Sequence, residues 1–319
     1  MHVNALRLIF MGTPDFAVPS LQAIAGAGLP FDVVQVVTAP DRPRRKKNAD
    51  PEPTPVKSLA LELGLPVLEV EDVKDPDFAE AVRELQPDVI VVAAFRILPP
   101  AVYGAARLGA FNLHASLLPA YRGAAPINHA LMQGETETGV TTFFLQQQVD
   151  TGSIILKKST PISSGENASE LAVRLSEIGA GAVLETLHLI AGGRVEVSTQ
   201  DESLVSKAPK LTHENTRINW NQSAESLHNF IRGLAMRPTA WTTLGGKNFK
   251  VFRSAPAPEL PGQEILPPGT ILVSEGRLYS ACAEGAIEIL SLQMGGKRVM
   301  EASEFLFGFR SEEGLRQFQ

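Results

Sequence analysis

The feature that most constrains the fold is a series of short, mainly apolar runs, at residues 6–11, 33–37, 67–68 and 89–94, set apart by helical spacing, glycine and proline. Runs without polar alternation suit strands buried on both faces of a parallel sheet. Between them Phe16, Val18, Leu21 and Ile24 recur at helical spacing, and residues 56–63 and 78–85 read as further helices. Strand and helix alternating at this pace predict an open, Rossmann-like, mostly parallel α/β sheet. The same reading continues through a strand at 110–114, a helix at 125–132, strands at 140–145 and 154–157, and a long helix at 169–190 that Gly192-Gly193 ends.

The pattern then changes. After a helix at 227–234, residues 241–244, 249–252, 270–273, 278–281 and 287–292 read as short strands. Gly245-Gly246, Pro268-Gly269, Glu284-Gly285 and Gly295-Gly296 mark the turns between them, as in a small β-barrel or sandwich. The expected organisation is therefore an α/β domain over 1–191, a linker over 192–209, and a smaller β domain over 210–319.

Composition removes several alternatives. One cysteine, Cys282, and six scattered histidines leave neither a disulfide nor metal-ligand spacing, so no metal is expected. Gly12-Thr13-Pro14-Asp15 is a tight strand-to-helix turn without the glycine spacing of a dinucleotide or nucleoside-triphosphate loop. No stretch approaches the roughly 20 apolar residues of a membrane span, and residues 1–12 lack a signal peptide's cationic start. A cytoplasmic protein with no membrane contact is expected. The net charge of −6 is uneven: residues 1–206 carry 16 Lys+Arg against 24 Asp+Glu, and residues 207–319 carry 13 against 11. Such a chain binds phosphate backbones only locally, and Arg42, Arg44, Arg45, Lys46 and Lys47 supply a local cluster on a proline-flanked loop after the second strand.

The stretch with most chemistry is GAFNLHASLLPAYRG, residues 109–123. On a strand, Asn112 and His114 share one face. Alone, an N-x-H reads more readily as a strand-end cap. Here it falls at the carboxyl end of a strand in a parallel sheet, where such folds bind ligands. An amide beside an imidazole can stabilise an oxyanion and move a proton, with Asp150 placed to orient or charge the imidazole.

These segments resemble the folate-dependent formyltransferases, most closely the branch that acts on charged tRNA. The resemblance is carried by GTPDFA (12–17), APDRP (39–43), TPVK (54–57), ILP (97–99), FNLHASLLPAYRGAAPI (111–127) and VDTG (149–152). RINW (217–220), PGTIL (268–272) and LSLQMGGKR (290–298) carry it through the second domain. It implies a Rossmann-like formyltransferase domain followed by an OB-like barrel. Asn112, His114 and Asp150 would be catalytic, and Ser116, Leu117, Leu118 and Pro119, with Phe95, Arg96 and Ile97, would bind the donor, 10-formyltetrahydrofolate. Arg42, Arg44, Arg45, Lys46 and Lys47 would bind tRNA. The implied activity is formyl transfer to the amino group of methionyl initiator tRNA by a monomeric enzyme. The chain departs from the family pattern at Phe95-Arg96, where an aromatic residue is usually followed by glycine. Two alternatives stay open at this level: another amine acceptor, such as a glycinamide nucleotide or an amino sugar, and a non-catalytic tRNA- or folate-binding protein on the same fold.

Overall fold

The computed structural model describes residues 5–43, 51–257, 266–309 and 317–319. In chain order the first elements are β1 (Leu6–Gly12), α1 (Val18–Ala27), β2 (Phe31–Thr38), α2 (Pro55–Glu62), β3 (Val67–Glu69), α3 (Pro76–Glu84), β4 (Val89–Ala93), α4 (Pro100–Tyr103) and β5 (Ala110–His114). They continue with β6 (Arg122–Gly123), α5 (Pro126–Met132), β7 (Glu137–Phe144), β8 (Ile154–Pro161) and α6 (Ala168–Ala191). The remainder comprises β9 (Lys207–Ala208), α7 (Ala224–Leu234), β10 (Ala240–Leu244), β11 (Lys247–Ala257), β12 (Ile271–Ser274), β13 (Arg277–Ala281), β14 (Ala286–Met294), β15 (Met300–Glu301) and α8 (Ala302–Gly308).

The chain divides into two compact units. The first takes Met1–Pro126, Glu137–Thr160 and Ala172–Lys207; the second takes Ile127–Thr136, Pro161–Leu171 and Ala208–Gln319.

The first unit is built on a seven-stranded sheet of order β3-β2-β1-β4-β5-β7-β8. β3, β2, β1, β4 and β5 run parallel, and β7 pairs antiparallel with β5. The apolar runs of the sequence are its central strands: every residue of β4 is buried, as are Leu8, Ile9, Phe10 and Met11. Helix starts follow local chemistry. Pro55 occupies the first turn of α2, where its missing N–H costs nothing, and the Thr54 hydroxyl caps the Lys57 N–H at 3.1 Å. His188, late in α6, is structural: its Nδ1 donates to the Leu184 carbonyl at 2.8 Å and its ring meets Phe31 edge-on.

Strand order in this sheet places the carboxyl ends of β1, β4 and β5 side by side. Gly12 takes part in that crowding, since a Cβ there would lie 2.8 Å from Ala17 Cβ and 3.0 Å from the Ala93 carbonyl oxygen.

In the second unit the strand order is β10-β11-β14-β13-β12, with β15 on β14, all antiparallel. Its core gathers Leu227, Ile231 and Leu234 of α7 with Phe249, Val251, Ile287 and Leu292 of the strands. The chain end is sewn in: Gln319 N donates to the Thr243 carbonyl at 3.0 Å, and Phe318 stacks on Trp220 at 5.0 Å. The short elements α4, α8 and β15 carry too few residues for a periodic signal. Among the described residues no helix is long and apolar enough to cross a membrane.

Candidate active site

β5 delivers Asn112 and His114 to one face, two residues apart. Asn112 is half-buried, in register with Val92 of β4 and Phe143 of β7, and its carboxamide has no hydrogen-bond partner among the described residues. His114 is only 5% exposed. Its Nε2 lies 2.9 Å from the Tyr121 carbonyl oxygen. A carbonyl only accepts, so Nε2 carries the hydrogen. Nδ1 faces Asp150 Oδ2 at 3.8 Å, within ion-pair reach and beyond a direct hydrogen bond. The one imidazole nitrogen without a fixed hydrogen bond is therefore the one beside a carboxylate.

Asp150 reaches that position from the loop between β7 and β8, and its backbone is strained to get there. Asp150, Tyr121 and Ala94 have φ of 57°, 61° and 48°, a region non-glycine residues occupy at roughly 1–3 kcal/mol each. Such conformers persist only where neighbours over-determine them, and here the neighbours are explicit. The Gly123 N–H donates to Asp150 Oδ2 at 2.9 Å. Gln200 Nε2 donates to the carbonyl oxygens of Asp150 at 2.8 Å and Gly152 at 2.9 Å. Gly152 itself is sterically required, because a Cβ would stand 1.6 Å from the Phe144 carbonyl oxygen.

The segment 116–119 is a rigid frame. Ser116 and Leu118 are fully buried; the Ser116 hydroxyl donates to Ala120 O at 2.6 Å and the Leu118 N–H to Thr141 Oγ1 at 3.1 Å. Pro119 is buried too, and Leu117 is the half-exposed side chain of the four.

Beyond β4, Phe95 is half-buried and Ile97 is 70% exposed. Arg96, which follows Phe95 directly as though the glycine of the pattern were deleted, turns its guanidinium back into the protein. Nη1 donates to Glu71 O at 2.6 Å and Nη2 to Val70 O at 2.5 Å, with the guanidinium carbon 5.6 Å from the Phe95 ring centre. This explains how the loop does without the glycine: the arginine side chain fixes it to the segment after β3.

Of the cationic cluster, Arg42 is exposed and closes a two-way backbone pair with Glu52, at 3.0 and 2.8 Å. Arg44, Arg45, Lys46 and Lys47 lie outside the described residues. The TPVK segment next to it has a structural part. Lys57 Nζ sits 2.7 Å from Asp41 and 2.5 Å from Glu69, and hydrogen bonds to first the one and then the other hold its ammonium above the usual lysine range. The Thr54 hydroxyl meets that of Thr38 at 2.8 Å.

Sequence reasoning brought forward Asn112, His114 and Asp150, and the structure brings His114 and Asp150 together. Sequence reasoning did not find Tyr121, Gly123, Gln200 or Ser206, which hold this pair, Ser206 by accepting from the Tyr121 N–H at 2.8 Å. Tyr121 and Gly123 act through backbone atoms, and Gln200 is an amide in a polar stretch 50 residues from its partner, with no periodicity to mark it. Among the described residues no group of three His, Cys, Asp or Glu side chains is gathered to hold a metal ion.

Residues 6–187 match the family described as formyl transferase, and residues 210–310 match formyl transferase, C-terminal domain. A methionyl-tRNA formyltransferase from Chlorobium phaeovibrioides is 80% identical over 315 residues, covering 99% of both chains. One from Bacteroides fragilis is 42% identical over 327 residues, again covering 99% of each. Among solved structures, a Helicobacter canadensis N-formyltransferase in complex with folinic acid and dTDP-3-aminofucose has a TM-score of 0.67 at 21% identity, covering 89% of this chain and 98% of its own. HypX from Aquifex aeolicus in complex with tetrahydrofolic acid has a TM-score of 0.62 at 19% identity, covering 95% of this chain and 47% of its own. These two similarities speak to the fold alone.

Proposed function

The chain belongs to the formyl transferase family, and from that premise we propose that it formylates the free amine of methionyl initiator tRNA, with 10-formyltetrahydrofolate as donor. The observation that carries the reading is Asn112 and His114 on one face of β5 at the carboxyl end of a strand in the parallel part of the sheet, with the Asp150 carboxylate 3.8 Å from the imidazole.

In this reading the neutral amine of the charged tRNA attacks the formyl carbon. A carbon–nitrogen bond forms, and the carbonyl electron pair moves onto oxygen. The Asn112 carboxamide donates a hydrogen bond to that oxyanion, and His114 donates from Nδ1, the nitrogen without a fixed partner. Asp150 sets a negative charge beside the imidazole that handles protons. Collapse of the intermediate breaks the bond from the formyl carbon to the folate nitrogen. His114 gives its Nδ1 proton to that leaving nitrogen and then takes up the proton lost by the attacking amine, so the imidazole ends as it began.

Leu117, Phe95 and Ile97 offer the donor apolar surface, while Ser116, Leu118, Pro119 and Arg96 hold the walls in shape. The cluster from Arg42 to Lys47, in the segment that follows β2, meets tRNA phosphates as point charges. The domain roles follow: residues 1–191 carry folate and chemistry, 192–209 link, and 210–319 form a tRNA-facing β-barrel. The enzyme acts as a cytoplasmic monomer.

The test is formyl transfer from 10-formyltetrahydrofolate to charged initiator tRNA, run beside a glycinamide nucleotide and an amino sugar nucleotide. The reading expects turnover with the tRNA alone; turnover confined to another acceptor, or none at all, would overturn it.

A further inference from the structure

Residues 198–206, part of the stretch expected to link the domains, are bonded into the first unit beside the candidate site. Ser198 exchanges both backbone hydrogen bonds with Ile154, at 2.8 and 2.9 Å. Gln200 is 6% exposed and all of its carboxamide is used. Its Nε2 donates to the carbonyls of Asp150 and Gly152, and its Oε1 accepts from Arg122 Nε at 3.0 Å and Nη2 at 2.8 Å. Arg122 in turn pairs with Glu202 at 2.8 Å, and hydrogen bonding to that arginine holds the Glu202 carboxyl below its usual range. At the other end of the segment, Ser206 Oγ accepts from Tyr121 N at 2.8 Å and Ser206 O from Arg122 N at 2.9 Å.

These bonds converge on the two sides of one imidazole. Tyr121, whose carbonyl holds His114 Nε2, is held by Ser206. Asp150, which faces His114 Nδ1, is held by Gln200. Both held residues sit at positive φ, where relaxation is the default unless something opposes it. We propose that Gln200 is a positioning residue for formyl transfer, locking the Asp150 loop so that the carboxylate stays opposite His114, and that Ser206 does the same for the Tyr121 carbonyl. The identity of Gln200 matters. Its two N–H groups point at two carbonyl oxygens while its oxygen meets a guanidinium, so glutamate could keep the arginine but would lose both donations. The inference rests on the reading of His114 and Asp150 as the proton-handling pair.

The experiment is a double-mutant cycle on single-turnover formylation, with Gln200→Met, Asp150→Ala and the pair, alongside Gln200→Glu. Gln200→Met is expected to lower the transfer rate on the order of 10- to 100-fold, the scale at which small misplacements act, with KM for both substrates and the thermal midpoint close to wild type. Because Gln200 acts through Asp150, adding Gln200→Met to Asp150→Ala should cost less than twofold more, a coupling that a merely structural effect would not produce. Gln200→Glu should resemble Gln200→Met. Additive losses, a loss confined to KM or to the midpoint, or a wild-type rate in Gln200→Met would overturn the inference while leaving the role of Asp150 intact. A wild-type rate in Asp150→Ala would overturn both.

Discussion

At the residue scale, the site depends on which groups are free and which are committed. Among the described residues Asn112 has no hydrogen-bond partner for its amide, and His114 has one nitrogen fixed by the Tyr121 carbonyl and one left beside Asp150. Arg96 shows the opposite case. Its charge lies next to the proposed folate wall, yet both hydrogen-bonding arms go to the carbonyls of Val70 and Glu71. In the proposed reading it serves the donor site by shaping the loop of Phe95 and Ile97 through these two bonds. Arg96→Met keeps the stem and removes both bonds, which are worth about 1.5–3 kcal/mol each as charged hydrogen bonds. The expected outcome is a several-fold rise in KM for 10-formyltetrahydrofolate at unchanged KM for tRNA. A fall in kcat with KM for the donor unaltered would contradict it.

At the element scale, the apolar strands were legible because pattern and burial agree: β4 is apolar and buried throughout, and β1 and β2 are mainly apolar, with Arg7 and Asp32 near their starts the exposed residues. The N-x-H strand was legible from its two polar residues at strand spacing, with its carboxyl end set by sheet direction. What sequence could not show were pieces whose form is set by distant bonds, such as the strap from Ser198 to Ser206, or the bend at Asp150. The second unit adds an element-scale prediction. His228 on α7 hydrogen-bonds Ser254 Oγ at 3.2 Å, and its pKa is lowered chiefly by burial and then by Arg232, against smaller opposing effects of Ser164, Ser254 and Glu225. A histidine that resists protonation when folded binds more protons when unfolded, so it disfavours the fold under acid. Stability should be full above the ordinary histidine value of about 6.5 and decline as pH falls below it toward the lowered value. His228→Gln should flatten that decline in urea unfolding between about pH 7 and 5; an unchanged slope would count against it.

At the scale of the whole molecule, an acidic chain must attract a polyanion by placing cations locally. Residues 1–206 carry an excess of acid, and the cluster at 42–47 is the local exception. Replacing Arg44, Arg45, Lys46 and Lys47 together by alanine should weaken tRNA binding and reduce the slope of log K against log salt, by about one for each phosphate no longer neutralised. Donor affinity should not change, and a salt slope equal to wild type would count against the assignment. The central claim, however, concerns chemistry at Asn112 and His114. It is tested most directly by the single-turnover rate of formyl transfer to methionyl initiator tRNA in Asn112→Ala and His114→Ala, both substrates saturating. Loss of one oxyanion donor predicts rates lower on the order of 10²–10³-fold with the folate donor still bound; rates equal to wild type in either variant would contradict the account.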